Sequence, residues 1–360
     1  MNKKDSPTNP FQHRIDALFA KAEAKKTEVV LVFGQMNRRA LTDVDCDNGC
    51  LVLDTRTRTV TMFTDFRYIP MCHRVAPWLN VKDIWKRVGE ERALRAIAKG
   101  AKNIGYEGSI SAKKYLAVRS ALKDCELVDV EADILAIRSV KTPAEIVKLA
   151  AAAKLNDEVW RLAKAEIRPG MTEKDIQRTI RAYMNALGDG EAFETIVCAG
   201  ANAAECHHVP DDTVWKRGEP LLVDMGVKLD GVASDMTRNI VPKSANAEYK
   251  RIYSLVLEAN MRAIKAVKPG ITCGQLDAVA RNFLKDNGFG KEFGHSLGHG
   301  VGYEIHEQPF AAKGVRTVLE PGMSVTIEPG VYMEGKLGVR IEDLVIVTKD
   351  GCEVLSHSKK

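Results

Sequence analysis

Two stretches of the chain place acids where an apolar strand should bury them. Leu221 to Ile240 reads LLVDMGVKLDGVASDMTRNI, and Met323 to Ile346 reads MSVTIEPGVYMEGKLGVRIEDLVI. Each begins as an apolar strand with an acid before x-Gly (Asp224, Glu328). A Gly-containing turn follows, then a second strand with another acid (Asp235, Glu342). Four carboxylates converging in an apolar sheet would repel one another and lose hydration unless a cation sits among them. Five of the eight histidines fall between His207 and His306, the region that also holds two of these acids, Asp224 and Asp235. One imidazole joined to four carboxylates, without a thiolate, favours manganese or a similar hard divalent ion over structural zinc. Charge counting favours two ions, because one would leave a strongly negative pocket. Two close ions bring a bound water to a pKa of about 7 and hold a carbonyl oxygen.

The elements that must position these groups come in pairs. Arg168–Thr172 (RPGMT) recurs as Lys268–Thr272 (KPGIT), and His207-His208-Val209-Pro210 recurs as His306-Glu307-Gln308-Pro309. The near-constant spacing predicts a duplicated unit folded about a pseudo-twofold axis that gathers the four acids. Taken singly, Asp-x-Gly and Glu-Pro-Gly are ordinary turns, and a lone histidine such as His295 is as well explained by a core. The combination of strands, repeat and histidine clustering points to metal. Asp343, next to Glu342, should face away from the site. Cys206, beside His207, reads as a small filler residue.

Thr142-Pro143-Ala144-Glu145 is a helix start with Thr as N-cap and Glu completing a capping box. That helix is expected to run to about Ala165, burying Ile146, Leu149, Ala153, Val159 and Leu162. Thr172 and Thr272 should cap two further helices. Upstream, helical spacing over Phe11–Lys26, a strand at Val29–Phe33 and a hairpin around Thr55–Arg58 lead into alternating helices and strands. This predicts an α/β first domain with a mixed sheet, 1–137, and an α+β second domain, 138–360, that carries the chemistry.

Composition narrows the classes. The chain has 360 residues, 45% apolar and 28% charged, with a net charge of +5 spread along it. No dense basic block marks a nucleic-acid partner. Lys3, Lys4, Lys359 and Lys360 read as solvated tails. No secretory h-region or membrane span is evident, and the eight scattered cysteines form no CxxC; a reducing, cytoplasmic setting is expected.

VDMG, SDMTR, HSLGHGVGYEIHEQP, TIEPG and GVRIEDLVIV resemble the motifs of the pita-bread metallopeptidases, which include aminopeptidase P, prolidase, methionine aminopeptidase and the metal-free creatinase. The resemblance runs from about Ser139 to the C-terminus. More loosely, the first domain resembles the creatinase-type N-terminal domain, which favours the Xaa-Pro branch. The resemblance implies that Asp224 and Asp235 hold one divalent ion and His299 and Glu328 the other, with Asp235 and Glu342 bridging. Manganese is the expected metal, with cobalt or zinc as alternatives. Glu328 would accept a proton from the attacking water. His207 and His306 would be the substrate-side histidines, and His295 a lower-ranked substrate-pocket residue. Arg340 would orient the bridging Glu342. Implied substrates are proline-containing peptides, and the implied assembly is a homodimer. One departure stands out: prolidases often carry an arginine after the HExP segment, and here that place is Phe310. Aminopeptidase P is therefore the preferred reading, an Xaa-Pro dipeptidase the alternative, and a non-peptidase binding module the remote one.

Overall fold

The structure, a computed structural model, describes residues 9–83 and 89–360. It divides into two compact units that meet between Arg138 and Ser139.

The first unit runs α1 (Gln12–Ala24), β1 (Val29–Val32), α2 (Gln35–Thr42), β2 (Cys50–Asp54), β3 (Thr59–Thr64), α3 (Ile69–Val75), β4 (Asn80–Asp83), α4 (Gly89–Ile97), β5 (Asn103–Tyr106), α5 (Ala112–Ala121), β6 (Glu126–Asp129) and α6 (Glu131–Ser139). Its strands form one mixed sheet in the order β4-β3-β2-β1-β5-β6. Alternate β1 residues serve two cores. Val30 and Val32 pack with Ile15, Leu18 and Ile134, while Val29 and Leu31 pack with Leu94, Val118 and Leu122. That period-2 division puts helices on both faces of the sheet. Two helices absent from the sequence reading appear here, α2 and α6, and α6 runs through the expected boundary at Ile137. Lys3 and Lys4 lie outside the described residues.

The second unit begins with α7 (Pro143–Glu166), α8 (Glu173–Leu187) and β7 (Ile196–Ala199), then a 3-10 turn at Gly200–Ala204. Next come β8 (Leu221–Met225), β9 (Lys228–Leu229), β10 (Val232–Ala233), β11 (Met236–Ile240), α9 (Ala247–Ala266) and α10 (Cys273–Asp286). It closes with β12 (Gly298–Gly300), β13 (Glu307–Ala311), β14 (Ser324–Ile327), β15 (Gly330–Met333), β16 (Leu337–Arg340), β17 (Asp343–Val347) and β18 (Cys352–Val354). Capping boxes start three of the four helices: Thr142 with Glu145, Thr172 with Asp175 and Thr272 with Gln275. In α7, Leu149, Ala153 and Val159 are buried as expected; Leu162 and Ile146 are half-buried, and Glu145, Ala152, Asn156, Trp160 and Ala163 are buried as well.

The duplication is visible in the hydrogen bonds. Gly170 N donates to Trp215 O at 2.9 Å, and Gly270 N donates to Leu319 O at 3.0 Å. Both glycines have positive φ, 103° and 88°, which explains why each loop before a capped helix reads Pro-Gly. Each half has its own core, one around Val159, Ile180 and Val223, the other around Val256, Leu276 and Val325. In β8–β11 the register sets Asp224 opposite Thr237, and in β14–β17 it sets Ile327 opposite Asp343. The acids therefore sit at equivalent ends of two hairpins. Lys360, read as a solvated tail, instead places Nζ 2.5 Å from buried Asp343 and 2.7 Å from Asn260 Oδ1.

Candidate metal centre

Asp224, Asp235, His299, Glu328 and Glu342 line one cavity of ≈ 370 Å³, together with His207, His295, His306 and Arg340. β8 supplies Asp224, the residue before β11 supplies Asp235, and β12 supplies His299. Glu328 and Glu342 lie just beyond β14 and just before β17. Donor atoms of Asp235, His299 and Glu342 fall within 4.8 Å of one another. His299 Nε2 lies 3.6 Å from Asp235 and 3.4 Å from Glu328. These are distances at which a shared cation, rather than direct hydrogen bonding, satisfies the groups.

The donor chemistry fits divalent ions. Asp224 Oδ1 and Asp235 Oδ1 are buried without a hydrogen-bond partner, a costly state unless something charged fills the space. Burial first, then neighbouring carboxylates, pushes Asp235 and Glu342 well above the usual carboxylate range, and burial pushes Glu328 up to about 8. Acids that hold protons this tightly are ready to exchange them for a cation. His299 is lowered to about 4, chiefly by burial, so its imidazole is neutral at pH 7. Its Nδ1 donates to Gly300 O at 3.1 Å, which leaves Nε2 as the ligand atom facing the acids.

Arg340 makes no direct hydrogen bond to Glu342. Its Nη2 donates to Asp224 Oδ2 at 2.6 Å, Nη1 to Tyr332 Oη at 2.9 Å and Cys206 O at 3.2 Å, and Nε to Thr237 Oγ1 at 3.1 Å. Thr237 in turn donates to Glu342 Oε2 at 2.7 Å, so Arg340 reaches that acid only through a hydroxyl. Asp343 faces away and pairs with Arg238 at 2.8 Å.

His295 lines the cavity, but its polar atoms are committed. Nδ1 donates to Ser296 O at 2.8 Å, and Nε2 accepts from Tyr332 Oη at 2.9 Å. Burial lowers its pKa to about 4, which keeps the ring neutral and fixes the direction of that chain: Arg340 to Tyr332 to His295. It offers a ligand its ring rather than a free nitrogen. His207 and His306 are exposed at the cavity, and His306 stands edge-on to His299 with centroids 4.3 Å apart. Burial and the neighbouring His207 lower the pKa of His306.

A second trio, Glu173, His208 and Asp211, is also close enough to suggest a cation. Its geometry says otherwise. Glu173 Oε1 accepts from Ala199 N and Asn202 Nδ2, and Oε2 accepts from His208 Nε2 and Asp211 N. Both oxygens are taken. Tyr332, Thr237 and Glu173 escaped the sequence reading; only the Gly-Val-Tyr segment after Glu328 could have drawn attention to Tyr332.

Residues 147–349 match Metallopeptidase family M24, and residues 14–140 match the Creatinase/Prolidase N-terminal domain. The chain belongs to metallopeptidase family M24. It is a metallo-exopeptidase with the pita-bread fold, as the motifs implied. Among M24 relatives, the Xaa-Pro dipeptidase of Pyrococcus furiosus is 37% identical over 268 residues, 73% of this chain and 76% of that protein. The solved Xaa-Pro dipeptidase from Bacillus anthracis has a TM-score of 0.90 at 31% identity, covering 97% of this chain and 98% of its own. The X-Pro aminopeptidase from Thermotoga maritima has a TM-score of 0.84 at 30% identity, covering 94% and 97%. This M24 fold is thus shared with relatives named for both activities. Among the described residues no helix is long and apolar enough to cross a membrane.

Proposed function

We propose that this chain is an Xaa-Pro aminopeptidase that releases an N-terminal residue preceding proline and accepts peptides longer than two residues. The observation that carries this reading is the cation count in the cavity. Arg340 is the one Lys or Arg among the described lining residues, and four acceptors already hold it. Phe310 stands where prolidases often carry an arginine, and it is 38% exposed. A dipeptide's carboxylate would find no free cation there. The Xaa-Pro dipeptidase reading is the alternative, favoured by the names of the Pyrococcus and Bacillus relatives.

Asp224 and Asp235 would hold one divalent ion, His299 and Glu328 the other, with Asp235 and Glu342 shared. When bound, such ions supply an activated water and polarise the scissile carbonyl. The oxygen-rich donor set supports manganese. Glu328 would accept the water's proton and return it to the leaving proline nitrogen, the role the family resemblance implies for it. His207 and His306 donate hydrogen bonds to the substrate carbonyl as charge develops on its oxygen. Tyr332 and Arg340 keep Asp224 turned towards the centre. The reading carries with it a homodimer, as the resemblance implies, and a cytoplasmic setting in keeping with eight unpaired cysteines.

The test is a kinetic panel of Xaa-Pro di-, tri- and pentapeptides with manganese, cobalt and zinc. Faster cleavage of the longer peptides supports the aminopeptidase; a large dipeptide preference gives the dipeptidase. Activity on none of them, with or without metal, rejects both.

A further inference from the structure

The two exposed cavity histidines, His207 and His306, are each followed in the chain by a buried residue in an ion pair. After His207 comes His208, whose Nε2 is 2.7 Å from Glu173 Oε2, with 9% and 0% of the two side chains exposed. After His306 comes Glu307, whose Oε1 is 2.5 Å from Lys141 Nζ, with 3% of each side chain exposed. His208 and Glu307 occupy matching places in the repeat, while their partners lie at two different helix entries of its first half. Both partners come from helix entries: Glu173 opens α8, and Lys141 lies just before the Thr142 cap of α7.

The geometry explains why such pairs would matter. His207 sits in a turn and His306 in a bend, and each is exposed beside a buried neighbour, His208 and Glu307. Anchoring the buried neighbour fixes the backbone from which the exposed histidine projects. Glu173 does more than pair with His208. It accepts from Ala199 N at 2.7 Å and Asn202 Nδ2 at 2.9 Å on one oxygen, and from Asp211 N at 3.1 Å on the other. One carboxylate thus ties both ends of the loop that carries Cys206 and His207. Its position in the first turn of α8 favours the negative charge. Burial alone would lower the pKa of His208, but hydrogen bonding to Glu173 and its charge leave it raised, as an ion pair requires. Glu307 opens β13, whose partner strand β12 carries His299; Gly300 is its register partner. A Cβ at Gly302 would collide with the Glu307 carboxylate, so the chain is fitted closely around that pair. Lys141 Nζ also donates to Ser139 O at 3.2 Å.

We propose that Glu173–His208 is a positioning pair for His207 and Lys141–Glu307 a positioning pair for His306. The proposal rests on the peptidase reading above and adds to it four residues that touch neither substrate nor metal. Misplacing a catalytic donor by about 1 Å costs up to roughly 100-fold in rate. His208→Ala and Lys141→Met should each lower kcat/KM about 10- to 100-fold, carried by kcat with KM little changed.

The decisive readout is the dependence on background. In His207→Ala, His208→Ala should cost no more than about twofold further, because its target is gone. Lys141→Met should keep its full cost in His207→Ala and lose it in His306→Ala. Val256→Ala, in the core of α9, serves as a folding control: it should lower the melting midpoint and leave kcat/KM unchanged. Equal losses in every background, or no loss in the parent chain, would overturn the proposal.

Hydrogen exchange on the metal-free chain separates this from the functional reading. A glutamine offers one acceptor oxygen where the carboxylate offers two. Glu173→Gln should therefore raise exchange at the amide of Ala199 or Asp211 by about tenfold, the loss of one hydrogen bond. Unchanged exchange at both would sink the clamp even if Xaa-Pro cleavage is confirmed. If the parent chain cleaves no Xaa-Pro peptide, the functional reading fails while this measurement still decides the clamp.

Discussion

Arg340 and Asp224 are joined by a 2.6 Å bond from Nη2 to Oδ2, with 3% and 12% of their side chains exposed. The guanidinium is the only fixed cation against the acid cluster among the described cavity residues. Removing one partner of such a pair costs about 3–5 kcal/mol, because the other charge is left buried alone. Arg340→Ala should therefore lower kcat/KM about 100-fold or more. Arg340→Lys keeps the charge but not the fork that reaches Asp224, Tyr332 and Thr237 together. It should recover only part of the loss. Steady-state kinetics on an Xaa-Pro peptide check both; parent-like activity in Arg340→Ala would refute this account.

Tyr332→Phe removes the hydroxyl between Arg340 and His295 and little else. Losing a hydrogen bond that orients a site residue typically costs about 10-fold or more in activity. The expected outcome is a fall of that size in kcat, with metal content by elemental analysis unchanged. Loss of metal in step with activity would place Tyr332 closer to the ligands than its geometry indicates.

Metal removal should be felt most at high pH. In the metal-free chain Asp235 and Glu342 are raised and Glu328 reaches about 8, all above unfolded carboxylates near 4. The folded chain then binds more protons than the unfolded one. The stabilising contribution of Glu328 is fully present below about pH 4 and is lost as pH rises through about 8, and those of Asp235 and Glu342 are lost as pH rises through their own raised values. A divalent ion replaces those protons, adding about 2.7 kcal/mol at 100 times its Kd. Calorimetry with and without chelator should show the metal-induced rise in melting midpoint growing from pH 5 to pH 8. A constant rise would mean that these acids do not hold the ion.

Phe310→Arg tests peptide length. A charged hydrogen bond to a carboxylate contributes about 1.5–3 kcal/mol. The variant should gain roughly tenfold or more in kcat/KM on an Xaa-Pro dipeptide relative to an Xaa-Pro-Yaa tripeptide. An unchanged ratio would show that the carboxylate does not lie near this position.

The helix starts and the acid strands were legible because their signals are local. Thr142, Thr172 and Thr272 each find their partner three residues on, and the repeat in Pro-Gly loops and acids can be read by eye. α2 was missed for the opposite reason. Its Arg38 and Arg39 look like surface residues, yet Arg38 is 1% exposed and donates to the carbonyls of Phe33, Gly49 and Cys46. Arginines buried by backbone carbonyls leave no periodic trace. Arg340 shows the same limit within the site. Strand alternation puts it on the face of Glu342, but its direct partner, Asp224, comes from the other half of the repeat. His208 and Glu307 were seen as repeat markers, and Glu173 and Lys141 gave no signal, since what they hold is distant in the chain.

Gly298 and Gly338 show how little slack surrounds the centre. A Cβ at Gly298 would strike the Thr326 carbonyl, and one at Gly338 would strike that of Ala203. Gly298 precedes His299 and Gly338 shares a strand with Arg340, so even a single methyl would displace a group facing the acids. Laboratory evolution of this enzyme should therefore find few viable changes beneath the acids. Variation in what it cleaves should instead collect at the cavity rim, where Glu194 and Phe310 stand exposed.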